Sequence, residues 1–124
     1  LIYLYIGHKK GSRPKLRLVT QYTGDNWLFI ERVMINIDGK VHVWTVGGYG
    51  KFERDNGGGG IWEWKDETPT AQQIALLKSI TDAKSVTIRF DGQQYYNDKK
   101  MRKSDIKAIG EVLLAFDEMI EQGM

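Results

Sequence analysis

The dipeptide Asp38-Gly39, set between two runs rich in β-branched and aromatic residues, constrains this chain more than any other feature. A two-residue type I′ turn needs positive φ at both central positions, and Asp-Gly tolerates that. The run from Trp27 to Ile37 is therefore expected as a long strand that turns back at Lys40. Ile37 then pairs with Lys40, Ile35 with His42 and Val33 with Trp44, while Asn36 pairs with Val41 and Met34 with Val43. Both faces carry apolar residues, which predicts a hairpin central in its sheet.

The rest of the chain adds strands before and helices after. Leu1 to Ile6 is apolar and suits a strand; the competing reading is the tail of a hydrophobic anchor with a basic flank. Leu16 to Tyr22 alternates as a strand, and Thr23 to Asn26 reads as a turn. Gly47 to Gly60 holds seven of the 14 glycines and is expected as one long connection. Ile61 to Trp64 is a short strand with both tryptophans on one face. A helix follows, capped either by Thr68 before Pro69 or by a Thr70/Gln73 capping box, with Ala71, Ile74, Leu76, Leu77 and Ile80 as its apolar stripe. Ser85 to Phe90, Asp91-Gly92 and Gln93 to Asn97 read as a second hairpin. Ser104 is expected to cap a last helix with Ile106, Ile109, Leu113, Phe116 and Ile120 on one side, and Gly110 in it allows close packing on the sheet. Two helical stripes need one sheet face to cover. The predicted fold is a single α+β domain spanning residues 1–124, with an antiparallel sheet of about five to seven strands and two helices on one face.

Composition removes several function classes. There is no cysteine, so disulfides, thiolate metal sites and cysteine nucleophiles are excluded. A net charge of +2 commits the chain to no polyanion. No apolar run reaches the length of a membrane helix. The first residue is Leu, which predicts a fragment or a processed product of a longer chain.

Motifs for catalysis do not assemble. Gly50-Lys51 is followed by Phe52, and Thr45 stands where a P-loop needs glycine. Glu53 stands where a kinase-type glycine loop needs its third glycine. Glu53, Asp55, Asn56, Glu63, Asp66 and Glu67 offer oxygen ligands without EF-hand spacing, and a solvated acidic surface explains them better than calcium. His8 and His42 are the only histidines, and no serine or carboxylate motif frames either. The chain is read as a non-enzyme without metal or cofactor.

Two surface signals remain. Four tryptophans are many for 124 residues. Trp62, Trp64, Tyr96 and Tyr49 are the candidate ligand-binding aromatics, because exposed rings bury flat apolar area against a partner. Lys99, Lys100, Arg102 and Lys103 form a candidate basic surface, with Lys9 to Arg17 as a second basic window. If the two windows meet in space, they offer a contact surface for a polyanion.

The run Leu16 to Tyr22, then Trp27 to Glu31, then Val33 to Lys40 resembles uncharacterised bacterial small lipoprotein-type domains. Asp55-Asn56-Gly57-Gly58 before Ile61 to Trp64 fits the same pattern, as do Val86 to Phe90, Tyr95-Tyr96 and the closing helix. The resemblance covers about residues 16–120 and carries no catalytic signature. It implies an extracytoplasmic domain anchored through an upstream lipid-modified cysteine, which this chain lacks; a cytoplasmic protein is the alternative. The expected function is a binding or structural module whose partner is a protein or surface ligand. The alternatives are a phage-type or mobile-element protein-interaction modulator and a nucleic-acid binder.

Overall fold

The computed structural model describes residues 1–46 and 52–123. Its order is β1 (Ile2–Gly7), β2 (Lys15–Gly24), β3 (Arg32–Ile37), β4 (Lys40–Val46), β5 (Glu53–Gly57), β6 (Gly60–Glu67), α1 (Ala71–Thr81), β7 (Val86–Asp91), β8 (Tyr96–Lys100) and α2 (Lys103–Glu121). The fold is α+β, as its patterning predicts. Its strands divide between two four-stranded antiparallel sheets, ordered β1-β2-β6-β5 and β4-β3-β7-β8.

The division explains a departure from the predicted long strand. Residues 27–31 are not strand; only Arg32–Ile37 is. That segment carries the chain from β2 in the first sheet to β3 in the second, and Phe29 takes φ 55° on the way. A crossing segment leaves backbone N–H groups without ladder partners, which is costly when they are buried. Glu63 supplies the partners. Its fully buried carboxylate accepts from the N–H groups of Leu28 at 2.7 Å, Phe29 at 3.1 Å and Ile30 at 3.0 Å, and from Arg54 Nε at 3.2 Å.

The inner faces of the sheets meet. The Tyr22 ring of β2 lies 5.4 Å from the Phe90 ring of β7, and the Trp44 indole donates to Thr20 Oγ1 at 2.9 Å. Ile2, Leu4, Leu18, Val33, Ile35, Ile88 and Phe90 form one core with Leu76, Leu77 and Ile80 of α1 and Ile109 of α2. Both helices therefore cover the same core, and α2 lies along β1.

The Asp38-Gly39 turn has φ 50° and 92°, as a type I′ turn requires. The register holds from Ile37↔Lys40 to Met34↔Val43, then slips by a bulge so that Val33 faces Thr45 rather than Trp44. The bulge turns Trp44 and Thr45 inward together: Trp44 meets Thr20, and Thr45 accepts from Lys65 Nζ at 3.0 Å. The hairpin is not central, because β4 is an edge strand.

Other local expectations change for physical reasons. Residues 53–60 are not part of one long connection. They form a hairpin whose turn residues Gly58 and Gly59 have φ 59° and 85°. Asp91-Gly92 is no two-residue turn; Asp91 pairs with Tyr96, and residues 92–95 form the loop, closed by Gly92 N–H on the Tyr95 carbonyl at 2.8 Å. α1 uses the Thr70/Gln73 capping box, with bonds of 3.0 and 3.1 Å. α2 starts at Lys103 with Arg102 at its N-cap and no side-chain cap, so Ser104 lies inside the helix. A Cβ on Gly110 meets the Thr81 side chain of α1 at 3.5 Å, so this glycine faces the other helix.

Candidate functional site

Strand alternation sends Ile2, Leu4, Leu18, Thr20, Tyr22, Ile61 and Glu63 inward. The intervening residues of the first sheet must then point outward. The register aligns Tyr5 with Arg17, Tyr3 with Val19 and Asp66, Gln21 with Trp64, and Thr23 with Trp62. Four aromatic rings thus share one outer face. Tyr3 is 47% and Tyr5 40% exposed, and Trp62 and Trp64 are half-buried. Val19 points the same way yet is buried, so its neighbours close over it.

The polar groups of this face are held in place. Asp66 accepts from Tyr5 Oη at 2.5 Å and from Arg17 Nε at 3.0 Å, and Arg17 Nη1 also reaches Thr68 Oγ1 at 2.9 Å. The bond to Asp66 keeps the Tyr5 hydroxyl protonated to a higher pH than an ordinary tyrosine. Beside this network an open cleft of about 410 Å³ is lined by Tyr5, Arg17, His8, Lys9, Arg13 and Lys15 at the β1–β2 turn. The ring face therefore runs into a cationic end.

The predicted residues are not all brought together. Trp62 and Trp64 share the face just described. Tyr96 belongs to the outer face of the other sheet, where the Arg89 guanidinium lies 4.0 Å from its ring and bonds Asp98 at 2.8 and 2.9 Å. Tyr49 lies outside the described residues. Tyr3 and Tyr5 join the face although the sequence reading passes over them. Their signal was present in Ile2-Tyr3-Leu4-Tyr5-Ile6, where the less apolar residue alternates, but the run reads as continuously apolar.

The two basic windows sit apart. Lys99, Lys100 and Arg102 share a cleft with Leu1 and Gln21–Thr23 at the start of α2, whereas His8, Lys10 and Arg13 share one with Gly123 beyond its end. Nineteen helical residues span about 28 Å between them. Lys99 Nζ lies 5.6 Å from the Tyr22 ring, Arg102 pairs with Asp105 at 3.2 Å, and Lys103 opens α2. The two basic windows therefore do not form one continuous surface.

The acidic residues also separate: Glu63 is inside, Asp66 is held by Arg17, and Glu67 is 3.4 Å from Lys65. Among the described residues no helix is long and apolar enough to cross a membrane. No family model, curated protein or solved structure matches this chain.

Proposed function

We propose that this chain is a non-enzymatic binding module whose contact surface is the outer face of the first sheet, displayed outside a bacterial membrane. The observation that carries the reading is the array of Tyr3, Tyr5, Trp62 and Trp64 on one solvent-facing side of β1 and β6. Rings with exposed flat faces gain by covering the C–H faces of a ligand, and each tryptophan at the centre of such a contact is a candidate hot spot. Gln21, Thr23, Arg17 and Asp66 lie among the rings and offer donors and acceptors to hydroxyl groups. The cations of the β1–β2 turn favour negative charge at one end. A saccharide chain bearing carboxylate or sulfate groups has all three complementary properties. Asp66 is committed to Tyr5 and Arg17, which suits holding a ligand rather than moving protons.

Calorimetric titration with acidic and neutral oligosaccharides tests this. The acidic chains should bind more tightly, and more weakly as salt rises. Trp62→Ala with Trp64→Ala should weaken binding by about tenfold or more while the melting temperature stays near that of the parent. Absence of binding to every acidic chain, or binding unchanged in the double variant, overturns the reading.

A further inference from the structure

Among the described residues, three of the four sheet edges are protected against further pairing. β5 carries Glu53, Arg54 and Asp55, β8 carries Asp98, Lys99 and Lys100, and β1 is accompanied by α2. β4 differs. Val41 is 61% and Val43 46% exposed on this edge strand, and Lys40 at its start is its one charged residue apart from the ionisable His42. An edge strand with exposed apolar side chains is a template for another strand.

Its backbone groups define which strand fits. Asp38 N–H donates to the Ser85 carbonyl at 2.9 Å, so even-numbered residues of β3 bond to β7 and odd-numbered ones face β4. Ile37 and Ile35 therefore bond to Lys40 and His42. The N–H and C=O groups of Val41 and Val43 face outward. One residue further on, the Trp44 carbonyl is taken by Gln73 Nε2 at 3.0 Å, and the bulge ends the regular strand.

We propose that β4 pairs with β4 of a second copy of this chain, antiparallel and with the two-fold axis at His42. In this register Val41 of one copy faces Val43 of the other, twice. All four outward-facing donors and acceptors of each strand are then satisfied by their symmetry mates. The four valines form one apolar row on the outer face, joined by Met34 opposite each Val43. Lys40 of each copy falls opposite Trp44 of the other, so the two ammonium groups stand about 14 Å apart along the strand, beyond a Debye length at physiological salt. The paired segment, Lys40 to Trp44, is the whole regular part of the strand, and His42 is its midpoint. A contact this short buries less than the roughly 800 Å² per partner of a standard interface, so the dimer is weak and concentration-dependent.

Sedimentation of the full chain over a dilution series up to about 1 mM tests association at the weak end of measurable affinity. The weight-average mass should rise toward two chains, and Val41→Lys with Val43→Lys should hold it at one. The absence of native cysteine allows a test of register. Residue 42 faces its own mate in a non-hydrogen-bonded pair with Cα atoms about 4.5 Å apart, within disulfide reach. His42→Cys should form a disulfide-linked dimer several-fold faster than Leu114→Cys, an exposed position on α2. A single-chain mass throughout, a dimer that survives the double lysine variant, or equal oxidation of the two thiols overturns the proposal.

Discussion

At the scale of single residues, Glu63 has the largest structural consequence. One carboxylate replaces the strand partners that residues 28–30 lack while they cross between sheets. Removing it takes this carboxylate away from three backbone donors and from Arg54 Nε. Glu63→Ala should lose about 3–5 kcal/mol in urea unfolding, as expected when one member of a buried charged contact is deleted. A loss below about 1 kcal/mol, the size of an exposed ion pair, would show that water replaces the carboxylate. The sequence places Glu63 on the face opposite Trp62 and Trp64. It does not say which face is inside, so the residue reads as part of an acidic surface. Asp98 is the converse case. Hydrogen bonds from Arg89 hold its carboxyl below the ordinary aspartate range. A depressed folded value contributes stability above the ordinary value, and that contribution fades as pH falls through the folded one. Asp98→Asn should therefore lower the urea midpoint slightly at neutral pH, and the difference from the parent should vanish in acid.

At the scale of elements, two glycines give opposite predictions. Gly92 has no room for a side chain, because a Cβ would collide with the Leu28 carbonyl oxygen. Backbone cannot yield as a side-chain tip can. Gly92→Ala should cost about 1–3 kcal/mol, measured by thermal or urea unfolding. Gly110 meets only ordinary van der Waals contact, so Gly110→Ala should gain about 1 kcal/mol from helix propensity alone. The two Asp-Gly pairs show what sequence does and does not reveal here. Asp38-Gly39 forms the expected turn, aided by Asp38, which accepts from the N–H groups of Lys84 and Ser85. Asp91-Gly92 has the same letters, but its glycine is required by the neighbouring crossing segment rather than by positive φ. Local patterning reveals hairpins and helices well. It is blind to a register set by a distant backbone.

At the scale of the whole molecule, strand content and two helices are legible from periodicity, and the division into two sheets is not. That division depends on where the chain crosses, and the crossing is stabilised by a residue more than thirty positions later. The candidate face was half legible for the same reason. Alternation alone puts Trp62 and Trp64 on one side, but only the pairing of β1 with β2 and β2 with β6 adds Tyr3 and Tyr5 to it. Tyr96 is removed by the same topology, since its strand belongs to the other sheet. If the face binds as proposed, Tyr3→Ala and Tyr5→Ala should each weaken the acidic-saccharide titration, whereas Tyr96→Ala should leave it unchanged.

The bulge in β4 buries Trp44 against Thr20, while Trp62 and Trp64 remain partly in solvent. The chain thereby carries two classes of intrinsic fluorophore. The buried indole emits toward the blue and reports the integrity of the core; the half-buried Trp27, Trp62 and Trp64 emit further to the red, and of these the outer-face pair Trp62 and Trp64 reports what touches the sheet. Ligand capture should quench the red side of the emission band without disturbing the blue, and unfolding should shift the whole band.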